Sequence, residues 1–179
     1  MRKQDVMDVF GDEINCIANT QIKNKLVSLL QILPTEFWWI SASRRHHPVD
    51  ERGMCGGLIH AKRTARVAID LCQAYDLNQS DKDLVIAACL LHDGLNCQQT
   101  PNTASHDKLM YEWLAHAAPD DCEWGAIRDY IKRHMGPWGW EHNTGWAYKS
   151  CRIMIINTAD YIASREWAIS IDIWEPIHV

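Results

Sequence analysis

A predicted helix that is apolar almost all round ends directly in two ionisable residues, His92 and Asp93. The helix spans about residues 82–92, and its side chains are apolar at every position from Leu84 to Leu91. Because such a helix has no face for solvent, we expect it in the centre of the domain. Ionisable groups at its buried end need strong partners, and a metal ion is one such partner. Taken alone, the pair also fits a helix-capping aspartate beside an ordinary histidine.

Helical periodicity dominates the rest of the chain and predicts five further helices. They lie at about residues 10–33, 60–75, 105–116, 122–135 and 148–167, and Pro34 stops the first of them. The pair Gly56-Gly57 is expected to break any helix ahead of His60.

Two long loops and a tail complete the predicted architecture. The loops cover residues 41–57 and 136–147, and long loops in compact domains tend to carry function. The tail over 168–179 begins with a strand-like alternation, and we expect it to lie extended on the body or on a second subunit. The sequence therefore predicts one all-α domain over residues 1–179, a bundle of about six helices with an extended C-terminal tail.

Composition limits the classes of protein and of partner. The formal net charge is -5 at pH 7, so we expect no extended surface for nucleic acid. The seven cysteines are scattered, odd in number and without a CxxC pair, which argues against a disulfide framework and a thiolate zinc site. The chain opens with no signal-like region and has no apolar run of about 18 residues, so we expect a cytoplasmic protein without a membrane partner.

Four further ionisable residues fall on the core-facing stripes of four different predicted helices. They are His60, His106, His134 and Asp160. One buried histidine is usually satisfied by hydrogen bonds, but three of them, an aspartate and a His-Asp pair are difficult to satisfy in that way. Imidazole and carboxylate groups that project into a helical bundle suit a metal centre. The pattern therefore predicts a metal site that draws on all of these residues.

The order of these residues resembles the H…HD…D pattern of HD-superfamily phosphohydrolases, with His60, His92-Asp93 and Asp160 in those places. The local contexts are similar too. Residues 56–60 read GGLIH and resemble a GGLxxH segment, residues 87–94 read AACLLHDG and resemble an AAxLLHD segment, and residues 158–164 read TADYIAS and resemble a closing ADxIAS helix. The resemblance covers about residues 40–166 and implies an HD-domain fold.

The resemblance also implies a ligand set and a mechanism. By that similarity one metal ion is held by His60, His92, Asp93 and Asp160, and Asp93 bridges to a second ion held by His106 and His134. The nitrogen donors favour Mn, Fe, Co, Ni or Zn over Ca. A metal-activated water, oriented by Asp93, would attack phosphorus. His47 lies in a stretch that resembles a KYHP segment of the family; it is a candidate to protonate the leaving oxygen, and a plain loop histidine is the alternative.

The expected substrate contacts depart from the family. Many members continue from HD into IGK, whereas this chain reads Gly94-Leu95-Asn96 and lacks that lysine. Positive charge for the phosphate could come instead from Arg44, Lys62, Arg66 and Arg133. Trp138 could stack on a base. A solvated helix face is the alternative for the basic residues, and ordinary packing is the alternative for the tryptophan.

These observations predict a metal-dependent phosphohydrolase that cleaves a phosphate ester or phosphodiester of a nucleotide or short oligonucleotide. That the substrate is a nucleotide is inferred by analogy with the family. Two alternatives stay open on the same residues: an HD-type di-iron oxygenase and a non-catalytic nucleotide-binding module. The expected partner is a small phosphorylated molecule, and the protein could form a homo-oligomer.

Overall fold

The computed structural model describes residues 3–42, 47–96, 105–119, 122–136, 139 and 150–165. Seven α-helices occur in these residues: α1 (Lys3–Asn15), α2 (Thr20–Ile32), α3 (Gly56–Ala74), α4 (Gln79–Leu91), α5 (His106–Ala117), α6 (Cys122–Arg133) and α7 (Cys151–Ala163). Two short 3₁₀ helices, Thr35–Trp38 and Val49–Arg52, precede α3. The described part of the chain contains no strand, so the predicted all-α fold is confirmed.

Helix α4 lies in the centre of the domain, as its apolar sequence predicts. Every side chain from Asp83 to Leu91 is buried, and the helix packs against α2, α3, α6 and α7. The buried apolar residues form one core cluster to which all seven helices contribute. Because other helices surround α4, the residues at its C-terminal end, His92 and Asp93, lie in the interior of the protein.

The predicted single helix over 10–33 is wrong, because the structure has two helices, α1 and α2, in that region. Asn19 begins α2 by accepting hydrogen bonds from two backbone N–H groups of the first turn. Asp83 of α4 accepts from the backbone N–H groups of Ala18 and Asn19 at 3.0 and 2.8 Å. Both contacts satisfy groups that a continuous helix would bond internally, so they favour a break at this point.

Helix α3 begins at Gly56, so the prediction that the glycine pair breaks a helix ahead of His60 is also wrong. The glycine is needed for a close approach between segments. A Cβ atom at Gly56 would lie 1.8 Å from the backbone oxygen of Glu51 and 2.9 Å from the nitrogen of Ala42. The absent side chain lets the 3₁₀ helix Val49–Arg52 pack directly on the first turn of α3, which brings Glu51 close to His60.

The predictions for the two long loops and the tail can be compared with the structure only in part. The described portion of the first loop contains the 3₁₀ helix Val49–Arg52, whereas the tail 168–179 and most of the second loop lie outside the described residues. The six cysteines that the structure describes are all free. Among the described residues, no helix combines the length and the apolar character that crossing a membrane requires.

Candidate metal centre

Five helices bring the six predicted ligands into one interior cluster. They supply His60 from α3, His92 and Asp93 from the end of α4, His106 from the start of α5, His134 from the end of α6, and Asp160 from α7. All four histidines are buried. The two aspartates keep some access to solvent, with 13% of the Asp93 side chain and 21% of the Asp160 side chain exposed. The cluster is therefore almost entirely buried, and only small parts of Asp93, His106 and Asp160 reach solvent.

One half of the cluster combines two imidazoles with two carboxylates. The Nε2 atom of His60 lies 3.0 Å from Oδ1 of Asp160 and 3.3 Å from Nε2 of His92. Nε2 of His92 is 3.7 Å from Oδ2 of Asp93 and 3.7 Å from Oδ1 of Asp160. His60, His92 and Asp93 thus offer ligand atoms within 4.8 Å of one another, and Asp160 lies against both imidazoles.

The other half shares Asp93 with the first. Nε2 of His106 lies 3.2 Å from Oδ1 of Asp93 and 3.2 Å from Nε2 of His134. The opposite oxygen of the carboxylate, Oδ2, is the one that faces His60 and His92. Asp93 therefore stands between two groups of histidines with one oxygen directed to each.

Hydrogen bonds on the outer side of two rings fix which nitrogen faces the cluster. Nδ1 of His92 lies 2.7 Å from the backbone oxygen of Cys89, and Nδ1 of His134 lies 2.6 Å from that of Ile131. A carbonyl oxygen only accepts, so we assign the proton in each case to Nδ1. In the neutral ring Nε2 then keeps a free lone pair that points into the cluster, which is the form that binds a metal.

His60 obtains its outer partner from a residue that the sequence analysis did not identify. Nδ1 of His60 lies 3.3 Å from Oε2 of Glu51, at ion-pair distance but without the alignment of a hydrogen bond. Glu51 is fully buried. In the sequence it is one acidic residue in a polar loop, and its only signal is its place five residues ahead of the GGLIH segment.

The predicted proton donor His47 lies in the same place. Its Nδ1 atom is 2.7 Å from Oε2 of Glu51, and its ring centroid is 4.5 Å from that of His60. The side chain is 12% exposed. His47 is thus adjacent to His60, one of the six predicted ligands, and contacts the same carboxylate oxygen of Glu51.

Electrostatics favour a cation inside the cluster. Burial alone would lower the pKa of His60, but its contacts with Asp160 and Glu51 and the charge of Asp93 outweigh burial and raise that pKa to about 10. Burial likewise opposes the charged form of His92, and the two aspartates raise its pKa. The pKa values of Asp93 and Asp160 would rise on burial, yet the surrounding histidines lower both. Protons therefore supply the positive charge that the carboxylates require when no metal is bound.

His134 has the opposite shift. Burial and the nearby rings of His92 and His106 lower its pKa to about 4. The ring is therefore neutral at pH 7 and needs to lose no proton before it can bind a metal.

The donor set fits divalent transition-metal ions. Imidazole nitrogen with carboxylate oxygen suits zinc, iron, manganese and their neighbours. With metal–ligand distances of about 2.0–2.2 Å, ligand atoms at tetrahedral or octahedral angles stand roughly 3–3.5 Å apart. Within each half, the neighbouring Nε2 and Oδ atoms named above are separated by 3.0–3.9 Å, so small adjustments would bring them to coordination distances.

A family model for the HD domain matches residues 57–165. The chain belongs to the HD-domain family. The match spans all six clustered residues, and HD domains are generally metal-dependent hydrolases. No significant match was found among curated proteins or among solved structures.

Two of the basic residues predicted as substrate contacts, Lys62 and Arg66, form ion pairs with α1. Lys62 donates to the backbone oxygen of Val9 at 2.5 Å, and Arg66 donates to Glu13 at 2.6 Å. These two side chains join α3 to α1, on a different face from the histidines. Arg133 donates to Asp129 along its own helix. The remaining two predicted contacts, Arg44 and Trp138, lie outside the described residues.

Proposed function

We propose that this HD-domain protein uses two divalent transition-metal ions to hydrolyse a phosphate ester or phosphodiester of a nucleotide or short oligonucleotide. The observation that supports the proposal most strongly is the position of Asp93. One oxygen of this carboxylate faces His60 and His92, and the other faces His106. Two-metal hydrolytic sites hold their ions about 3.5–4 Å apart, and a carboxylate shared between two nitrogen-rich groups suits that arrangement.

In this proposal the first ion is held by His60, His92, Asp93 and Asp160, and the second by Asp93, His106 and His134. The ligand atoms of His60, His92 and Asp93 lie within 4.8 Å of one another, as do those of Asp93, His106 and His134, and Asp160 groups in the same way with His92 and His134. When bound, such ions lower the pKa of a coordinated water towards about 7 and offset negative charge on a phosphate. The chain's own contribution is to fix the ligand atoms in place and to keep their outer nitrogens hydrogen-bonded. Asp93, which keeps access to solvent, orients the attacking water.

His47 is the proposed donor of a proton to the leaving oxygen. Its Nδ1 is held by Glu51, so its Nε2 is the nitrogen available to a substrate. The side chain is partly exposed beside the cluster. A general acid must lie within reach of the atom it protonates, and the ring centroid of His47 lies 4.5 Å from that of the proposed ligand His60.

A small substrate fits the charge of the protein better than a long polymer. The net charge is -5, and Lys62 and Arg66 are paired with α1 and so add no cationic track at the site. Bound metal ions would supply the positive charge that attracts a phosphate. That the phosphate belongs to a nucleotide is an inference from the family.

Separation of the reaction products by chromatography tests this proposal. The protein, loaded with Mn²⁺ or Fe²⁺, would be incubated with nucleoside mono-, di- and triphosphates and with short dinucleotides, with and without a chelator. We expect chelator-sensitive hydrolysis, seen as a nucleoside or a shorter nucleotide, that is lost in His92→Ala, while Glu13→Gln, which alters a buried carboxylate away from the histidines, keeps it. Full activity in His92→Ala would contradict the site. Tightly held iron with no hydrolysis of any substrate would instead favour the oxygenase.

A further inference from the structure

A buried carboxylate lies behind the proposed metal ligand His60. Glu51, in the 3₁₀ helix Val49–Arg52, has no exposed surface. Its Oε2 atom is 2.7 Å from Nδ1 of His47 and 3.3 Å from Nδ1 of His60. Its other oxygen, Oε1, contacts Nη1 of Arg63 on α3. One glutamate thus touches two histidines and a guanidinium in the interior of the protein.

His47, Glu51 and His60 have the composition of a third metal site, but two observations argue against that role. The guanidinium of Arg63 already neutralises Glu51, and it also lies 2.7 Å from Oδ2 of Asp50. In addition, His60 directs its other ring nitrogen, Nε2, to the main cluster. A further divalent ion bound to Nδ1 of His60 would therefore lie close to the positive charge of Arg63 and would be repelled by it.

We propose that Glu51 is a positioning residue that sets the orientation of His60 and His47 together. The inference rests on the proposed metal centre. Metal-binding histidines usually direct their outer nitrogen to a carboxylate or a carbonyl oxygen, which fixes the tautomer and the ring. His92 and His134 use backbone carbonyls three residues earlier in the chain. The described contacts of Nδ1 in His60 include no carbonyl, so its placement depends on Glu51.

The surroundings hold Glu51 firmly enough for this role. Its backbone N–H donates to the oxygen of Pro48 at 3.0 Å, and its backbone oxygen accepts from Ala42 at 2.9 Å. Gly56 allows the segment to approach α3 closely, and Arg63 holds Oε1. Oε2 of Glu51 is therefore kept on the outer side of the His60 ring.

The test compares metal affinity in two matched variants. Glu51→Gln keeps the shape of the side chain and one acceptor oxygen but removes the charge. Glu13→Gln makes the same change at another buried glutamate, which pairs with Lys62 and Arg66 of the same helix α3 and has no histidine among its described contacts. Calorimetric titration of metal-free protein with Mn²⁺ would measure affinity, the absorption bands of bound Co²⁺ would report ligand geometry, and circular dichroism would confirm folding.

We expect Glu51→Gln to bind Mn²⁺ about 10–100-fold more weakly than the wild type and to shift the Co²⁺ bands, whereas Glu13→Gln matches the wild type in both. Unchanged affinity in Glu51→Gln, or an equal loss in both variants, would overturn the inference. Failure of the wild type to bind any metal would overturn the metal centre itself. Because the readout is binding, a wild type that binds metal but hydrolyses nothing would refute the proposed function and still leave this comparison decisive.

Discussion

Replacing Asp93 by asparagine should remove the element that joins the two halves of the site. Oδ2 of Asp93 lies 3.9 Å from Nε2 of His60, and Oδ1 lies 3.2 Å from Nε2 of His106. Asparagine has nearly the same shape but no charge. We therefore expect the fold to persist while metal affinity is lost in both halves of the cluster.

The size of the loss follows from Coulomb's law. A cation held by either group of histidines would lie within about 4 Å of the carboxylate, where two unit charges attract by about 4 kcal/mol at an effective dielectric constant of roughly 20. That energy corresponds to roughly a thousandfold change in affinity. A divalent ion is attracted more strongly, so a thousandfold is the smallest loss that we expect.

Calorimetric titration of metal-free protein with Mn²⁺ would measure this loss. Asp83→Asn is the matched control, because Asp83 is a buried carboxylate of α4 that accepts hydrogen bonds from backbone N–H groups far from the histidines. The control should bind Mn²⁺ as the wild type does. Binding by Asp93→Asn within tenfold of the wild type would refute the bridging role of this side chain.

Three further predictions concern stability and protons. Gly56→Ala should destabilise the fold by about 1–3 kcal/mol in chemical denaturation, because the added Cβ atom would displace the backbone of Glu51. The same displacement should weaken Mn²⁺ binding. A variant as stable as the wild type would show that the close approach at Gly56 is unimportant. Asp83→Ala should cost about 2–3 kcal/mol, because it leaves the N–H groups at the start of α2 without their acceptor, and an unchanged thermal midpoint would argue against this account of the break between α1 and α2. Metal binding should release protons, and affinity should rise with pH through the neutral range, because His60, with a pKa of about 10 in the metal-free protein, is protonated there and must lose that proton. Calorimetry in buffers of different ionisation enthalpy would contradict this if the measured heat were the same in all of them.

Local sequence patterns predict much of the fold and the membership of the cluster. The apolar run from Leu84 to Leu91 identifies α4 as the central helix, because no other placement removes all of its faces from water. The helical period places His60, His106 and Asp160 on inward-facing stripes, and the structure brings them together with the His-Asp pair. The outer hydrogen bonds of His92 and His134 are also local, since each runs to a carbonyl three residues earlier.

Features that depend on contacts between distant segments could not be predicted in this way. The break between α1 and α2 depends on Asp83, which lies 64 residues from Asn19 in the chain. Lys62 and Arg66 have the charge of phosphate contacts, but Glu13 of α1 pairs with both. Glu51 gave no periodic signal, because it lies in an irregular segment whose approach to His60 is set by tertiary packing. Each of these is a long-range ion pair or hydrogen bond rather than a property of one element.

The proposed function depends on a two-metal centre formed by the six clustered residues. The metal content of the wild-type protein, after loading with Mn²⁺ or Fe²⁺ and removal of free metal by gel filtration, would be measured by plasma mass spectrometry. We expect about two ions per chain, as in other two-metal hydrolytic sites. Protein that retains no metal under these conditions would contradict the two-metal centre, and a single ion would contradict the shared role of Asp93.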